Sequence, residues 1–112
     1  MMHGLVNINY EPVLRLEIED GQGQVHKMDV VINTGFSGFL GLPYSLIADL
    51  NLVRSPISEE SYEATIIWNE EYQQIVVTPV ETEPIIGIAL LEGYTLQIQV
   101  MQHGLVTLER VD

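Results

Sequence analysis

Alternation of apolar and polar residues with a period of two recurs along this chain and constrains its fold more than any other feature. It is clearest in the segment VLRLEIED, where Leu14, Leu16 and Ile18 alternate with charged residues. TLQIQV and GLVTLERV, near the C-terminal end, alternate in the same way. Because successive side chains of a β-strand point to opposite faces, the pattern predicts half-buried strands and a mainly β protein.

Turn-forming sequences divide these strands into hairpins. GQGQ follows the first alternating segment, and HKMDVVI then returns with Met28, Val30 and Ile32 on one face. Residues 12–32 are therefore predicted to form a β-hairpin. YEATIIW and YQQIVVTPV flank the polar turn Asn69-Glu70-Glu71 and predict a second pair of strands.

Helical signals are few and short. LPYSLIADLNL begins with a proline that suits the first turn of a helix, and Leu46, Ile47 and Leu50 recur at helical spacing. We therefore expect one or two short helices in an otherwise β protein.

The length and composition predict one folded domain that spans residues 1–112. Hydrophobic residues make up 46% of the 112 residues and charged residues 18%. This balance is typical of a globular chain with a modest core and differs from that of disordered segments.

The strong negative charge narrows the choice of partners. Four Lys and Arg residues stand against sixteen Asp and Glu residues, for a formal net charge of -12. Such a chain repels phosphate backbones and anionic lipid surfaces, so we expect neither nucleic acid nor a membrane as partner. The N-terminal segment lacks the features of a secretory signal, and no apolar run approaches the ~18 residues of a membrane span. We therefore expect a cytoplasmic protein.

Several common catalytic arrangements are absent from the sequence. There is no cysteine, and the histidines at positions 3, 26 and 103 lack metal-ligand spacing. Ser37 is not in a G-x-S-x-G motif, and the glycines at positions 35, 38 and 41 do not match a phosphate-binding loop. We therefore expect no metal and no cofactor.

One turn remains that the hairpin pattern does not explain. Asn33-Thr34-Gly35 directly follows an apolar strand in the segment VVINTGFSGFLGLP. Asn and Gly tolerate turn conformations, and Thr can form hydrogen bonds with nearby backbone groups, so an ordinary turn is one interpretation. The alternative is that this turn presents a side chain to a binding cavity.

The order of several motifs resembles that of the retropepsin-type aspartic proteases. NTGFSGFLGLP is similar to the Asp-Thr-Gly-Phe-x-Gly-Phe signature of a prokaryotic branch, and EPIIGIALLEGYTLQIQV follows about fifty residues later. VNINYEP near the start and HGLVTLE near the end extend the resemblance over most of the chain. The resemblance implies a closed β-barrel of the acid-protease fold.

The resemblance also implies a mechanism and a set of site residues. In that family, a homodimer brings two Asp-Thr-Gly loops together, and the paired carboxylates share a proton during peptide hydrolysis. The positions that match this loop are Asn33, Thr34 and Gly35, and the resemblance implies that Thr34 ties the two loops together across the dimer axis. The residues expected to contact substrate are Phe36, Ser37, Ile85, Ile86 and Gly87.

The sequence departs from the family pattern at the position of the catalytic Asp. Asn33 carries an amide that cannot exchange a proton near neutral pH, so a homodimer contains no carboxylate pair. A second departure is VRSPISEESYEA, where this branch usually has a longer glycine-containing hairpin, called the flap, which closes over bound peptide. We expect the flap to be shortened.

Two functions of different classes remain open. One is a natural non-catalytic member of the fold with a peptide-binding or assembly role, for which several losses together are expected. The other is an aspartic endopeptidase that carries an inactivating Asp-to-Asn substitution in an otherwise intact pattern. The sequence favours the first, because the substitution and the shortened flap occur together.

Overall fold

The computed structural model describes residues 1–112 and contains ten strands and two short helices. The strands are β1 (Met2–Val6), β2 (Pro12–Glu19), β3 (Val25–Ile32), β4 (Leu40–Leu42), β5 (Val53–Arg54), β6 (Tyr62–Trp68), β7 (Glu71–Pro79), β8 (Ile85–Ile86), β9 (Tyr94–Ile98) and β10 (Leu105–Arg110). The helices are α1 (Tyr44–Asp49) and α2 (Ile88–Leu91). The predicted mainly β composition with one or two short helices is confirmed.

Six of the strands close into a barrel. Around the ring, β2 pairs with β3, β3 with β8, β8 with β4, β4 with β7, β7 with β6, and β6 with β2 again. The last pairing joins Glu17 to Ile67 and Ile18 to Ile66. β1, β10 and β9 extend the sheet from the N-terminal half of β2, and β9 forms its open edge.

The predicted hairpin over residues 12–32 is confirmed as β2 and β3, paired from Val13 opposite Val31 to Glu19 opposite Val25. Asp20 closes its tip. The Oδ1 atom of Asp20 accepts hydrogen bonds from the backbone N–H groups of Gln22 (2.8 Å) and Gln24 (2.9 Å). This side chain therefore replaces ladder hydrogen bonds that the strands cannot provide at the turn.

The second predicted hairpin is also present, as β6 and β7, but its turn is one residue shorter than expected. Glu71 belongs to β7 and pairs with Trp68. Asn69 and Glu70 alone form the turn, with φ angles of 51° and 71°. Two central residues with positive φ form the turn whose twist matches that of the flanking strands.

The inward faces of the barrel strands form the core. The residues predicted to lie on one face of the first hairpin, Leu14, Leu16 and Ile18, are buried. The alternation of TLQIQV predicts a strand with Leu96, Ile98 and Val100 on one face, but β9 ends at Ile98 and Val100 is 78% exposed beyond it. The chain instead turns after β9, where the N–H of Met101 donates to the carbonyl of Gln99 at 2.8 Å.

The two helices cover the barrel and contribute to its core. Pro43 is the N-cap residue of α1 and has a φ of -67°. The sequence predicted it one position later, as the first residue of the helix. Ile47 and Leu50 are buried, and so are Leu90 and Leu91 of α2. Neither helix has the length and apolar character needed to cross a membrane.

Candidate active-site loop

The loop after β3 has a defined conformation that is held by its own hydrogen bonds. The Asn33 carbonyl accepts a hydrogen bond from the N–H of Phe36 at 3.1 Å. The Oδ1 atom of the Asn33 side chain accepts another from the N–H of Gly35 at 2.9 Å. The side chains of Asn33 and Thr34 are exposed. The loop therefore presents its polar side chains to solvent on a fixed backbone.

β8 supports this loop from below. It runs parallel to β3 and antiparallel to β4, so it lies between the two strands that the loop connects. The N–H of Asn33 donates to the carbonyl of Ile86 at 2.9 Å. Three further bonds join residues 87–89 to the loop, from the N–H of Gly87 to the Phe39 carbonyl, from Ile88 to Phe36, and from Ala89 to Gly38.

Gly87 is the closest point of this contact. A Cβ atom at this position would lie 2.2 Å from the carbonyl oxygen of Gly38 and 2.6 Å from that of Phe36. Both neighbours are backbone atoms within the hydrogen-bonded loop, so they cannot move aside as a side chain could. Only glycine fits here without displacing the loop.

The ring of Phe36 packs against the same region. It is half-buried and lies so close to Gly38 and Gly87 that a Cβ atom on either glycine would come within 2.6 Å of the ring. Phe36 therefore fills the space between the loop and the segment that follows β8. Ser37 is exposed next to it.

A cavity of about 480 Å³ borders the loop. Its lining residues come from three parts of the chain: Tyr10, Glu11 and Pro12 before and at the start of β2, residues 31–34 of β3 and the loop, and Thr82, Glu83 and Ile85 before and in β8. Of the residues predicted from sequence, Asn33, Thr34 and Ile85 line this cavity. Gly35, Phe36, Ser37, Ile86 and Gly87 do not, and Ile86 is fully buried.

Sequence reasoning did not single out the residues from before β2 and before β8. A signal was present for all of them except Thr82, because the YEP and EPIIG segments belong to the motifs that carry the family resemblance. The side chain of Glu11 accepts a hydrogen bond from Asn7 at 3.0 Å, which orients it at the rim. No Lys, Arg or His lines this cavity, so its charged residues are all acidic.

The connection between β5 and β6 is short. These strands pair only at Val53 with Glu63 and Arg54 with Tyr62, and residues 55–61 join them. The N–H of Ser55 donates to the carbonyl of Ser61 at 2.9 Å, which closes the connection. None of its residues lines the cavity beside Asn33.

Ionisable groups with shifted pKa values lie outside the loop. The hydrogen bond from His26 holds the pKa of Asp20 below its usual value, and the N–H groups of Gln22 and Gln24 act in the same direction. Asp20 is at the tip of the β2–β3 hairpin. No group of three or more His, Cys, Asp or Glu side chains lies close enough together to hold a metal ion.

Comparison with known proteins identifies the fold. No family model matches the sequence, and no curated protein matches it. Among solved structures, the chain is similar to the crystal structure of a retropepsin-like aspartic protease from Rickettsia conorii, with a TM-score of 0.68 and 13% sequence identity. The similarity covers 99% of this chain and 91% of that chain. The closed barrel with two short helices is therefore a retropepsin-like fold.

Proposed function

We propose that this chain is a non-catalytic member of the retropepsin-like aspartic protease family that binds a peptide or protein segment as a homodimer. The observation that carries the proposal is the exposed amide of Asn33, which the sequence resemblance matches to the family's catalytic Asp, on a loop held by hydrogen bonds. The supporting contacts of the loop are retained while the group that exchanges protons is missing.

The chemistry of the amide supports the absence of catalysis. Peptide hydrolysis by a carboxylate pair needs one group that accepts a proton from water and another that gives a proton to the leaving amine. Asn33 can do neither near neutral pH. Two copies of the loop would bring together two amides, which share no proton.

The same amide is suited to binding. Its Oδ1 atom is occupied by the N–H of Gly35, so the Nδ2 group has hydrogen-bond donors to offer to a ligand. A peptide carbonyl is an acceptor of matching chemistry. Asn33 therefore has the role of recognising a peptide backbone, with Thr34 and Ile85 beside it in the cavity.

The proposed homodimer explains why the loop is exposed. Asn33, Thr34 and Gly35 all face solvent in one protomer, and the chain contains one such loop. In the proposed dimer, Thr34 ties the two loops together and residues 1–112 act as one domain per protomer. Ile86 and Phe36 then support the loop through backbone hydrogen bonds within each protomer, Gly87 allows the close backbone contact, and Ser37 stays exposed.

The second candidate is an aspartic endopeptidase with an inactivating Asp-to-Asn substitution. The complete set of hydrogen bonds around the loop favours it, because an Asp side chain could accept the same bond from the N–H of Gly35. The short β5–β6 connection favours the non-catalytic protein. Sequencing the source gene separates the two, since an encoded Asp at position 33 identifies the enzyme.

Selection from a random peptide library tests the proposed binding. Selected peptides are titrated into ¹⁵N-labelled protein, and we expect shifts of the Asn33 side-chain amide and of the backbone amides of Glu11 and Thr82. An Asn33→Ala variant should bind more weakly, whereas Tyr72→Ala, at an exposed position of β7 outside this cavity, should bind normally. Selected peptides that shift residues away from the cavity would contradict the proposal.

A further inference from the structure

The register of five neighbouring strands aligns a row of apolar side chains across the sheet. Leu105 of β10 lies opposite Leu5 of β1, and Leu5 lies opposite Val13 of β2. Val13 lies opposite Val31 of β3, which pairs with Ile85 of β8. We call these five residues the apolar stripe.

The apolar stripe lies on the outer face of the sheet. The residues next to it along the strands, such as Val6, Leu14 and Val30, are buried in the core, so the stripe points the other way. Leu5 is 55% exposed and Leu105 is 41% exposed. An antiparallel sheet with one solvated face normally has polar residues there, and an apolar row across it is typical of a protein-binding surface.

The charges around the stripe differ from those of the rest of the chain. A groove of about 940 Å³ runs along it, and its lining includes Arg15, His3 and His103 as well as the acidic residues Asp29 and Glu83. One of the chain's four Lys and Arg residues and two of its three histidines therefore face this groove. Two chains that each carry a net charge of -12 repel each other. The repulsion is weakest where both chains present a face that carries positive as well as negative side chains.

Arg15 and Asp29 also make the face complementary to itself. They are paired across β2 and β3, with 3.4 Å between Arg15 Nε and Asp29 Oδ1, and their side chains are 69% and 66% exposed. In a twofold dimer the same patch meets itself, so residue i contacts j and j contacts i. A face with one Arg and one Asp can then form two reciprocal ion pairs.

We propose that the apolar stripe is the docking surface for a second copy of this chain, with Arg15 and Asp29 pairing reciprocally across the twofold axis. The inference rests on the homodimer of the proposed function and assigns its interface. Val31 and Ile85, at one end of the stripe, also line the cavity beside Asn33. The second copy would therefore border the binding site that we propose.

Charge reversal tests the reciprocal pairing. Arg15→Asp leaves two carboxylates on the face and Asp29→Arg leaves two guanidinium groups, so each variant alone places like charges across the axis. We expect each to raise the dimer dissociation constant roughly 100-fold, because like charges juxtaposed across an interface are strongly unfavourable. Mixing the two variants should restore a dimer, which an ion pair within one chain cannot do.

Apolar contact is tested with a matched pair of substitutions. Leu5→Glu should dissociate the dimer in sedimentation velocity, while Val53→Glu, at a 68% exposed position outside the groove, should leave it intact. Circular dichroism and urea unfolding check that both variants fold. A folded Leu5→Glu variant that stays dimeric would overturn the proposal that the apolar stripe is the dimer interface. Charge-reversed variants that each form a dimer without the other would overturn it as well.

The result is distinguishable from a failure of the proposed function. A dimer that survives these substitutions uses another surface, and peptide binding at Asn33 remains to be judged by its own titration. A wild-type chain that is monomeric at high micromolar concentration overturns both the proposed interface and the proposed homodimer.

Discussion

At the scale of single residues, Asn33 and Gly87 affect different properties of the loop. In the proposed function, Asn33 determines the chemistry of the loop, because an amide cannot exchange protons near neutral pH. Gly87 determines the geometry, since its missing Cβ allows the chain after β8 to contact the loop backbone. A substitution at Asn33 should therefore change function, and one at Gly87 should change stability.

Gly87→Ala should lower the free energy of unfolding by about 3 kcal/mol, the upper end of the usual cost of overpacking. The physical reason is that the added Cβ meets two backbone carbonyl oxygens of the hydrogen-bonded loop. Gly93→Ala is the control, because it has a positive φ of 87° but open space around it. It should cost only about 1 kcal/mol. Equal urea midpoints for the two variants would contradict the close packing at Gly87.

The sequence located the loop but only part of the cavity. Asn33, Thr34 and Ile85 were predicted because they belong to short contiguous motifs that match a known pattern. Tyr10 and Thr82 join them only through folding, because they come from segments that are far apart in sequence. Local patterns do not indicate which loops meet in space.

At the scale of elements, alternation along a strand predicts which residues face inward but leaves the register between strands undetermined. The inward faces of β2 and β3 were predicted from a period of two. The apolar stripe was not, because it exists only when Leu5, Val13 and Val31 align on three strands. Each of these residues taken alone is an ordinary apolar residue next to a turn or strand end.

The tip of the β2–β3 hairpin should respond to acid. The pKa of Asp20 is lowered in the folded protein, chiefly by the hydrogen bond with His26. A lowered pKa means that the stabilisation is present above the unfolded value of about 4 and is lost as the pH falls through the folded pKa. The free energy of unfolding should therefore decrease below about pH 4.

Asp20→Asn isolates this effect. Asparagine keeps a side-chain oxygen for the N–H groups of Gln22 and Gln24 but carries no charge for His26. Between about pH 5 and pH 2.5, the wild-type protein should lose more stability than this variant in urea unfolding, because only the wild type loses the charge. Parallel pH profiles for the two proteins would contradict a role for the Asp20 carboxylate.

At the scale of the whole molecule, the net charge of -12 opposes the proposed dimer. The acidic residues that line the cavity beside Asn33 add to this repulsion near the twofold axis. The apolar stripe and the reciprocal ion pairs must overcome it. Dimerisation is therefore expected to depend on ionic strength.

Added salt should strengthen the dimer. Raising ionic strength from about 0.01 M to about 0.15 M shortens the screening length from roughly 30 Å to roughly 8 Å, which weakens repulsion between the two acidic protomers. The exposed Arg15–Asp29 pairs are also screened, but they contribute less than the summed repulsion. The dissociation constant from sedimentation equilibrium should fall. A constant that rises with salt would show that ion pairs dominate the interface.

The central claim is that the retropepsin-like fold is retained here without its catalytic chemistry. The barrel is a retropepsin-like fold. In the proposed function, Asn33 stands where the family's catalytic Asp would be and supplies neither the acid nor the base. Loss of general acid–base help is typically worth 10²–10⁴-fold in rate, and losing both carboxylates should cost at least as much.

A cleavage assay of the unmodified protein and its Asn33→Asp variant tests this claim most directly. Both are incubated with a mixed peptide library from about pH 3 to 7, with and without a statine-type inhibitor, and products are read by mass spectrometry. We predict no cleavage above background by the unmodified protein and slow, inhibitor-sensitive cleavage by Asn33→Asp. The rescue should be partial, because no residue of the β5–β6 connection lines the cavity beside Asn33. Inhibitor-sensitive cleavage by the unmodified protein would contradict the account.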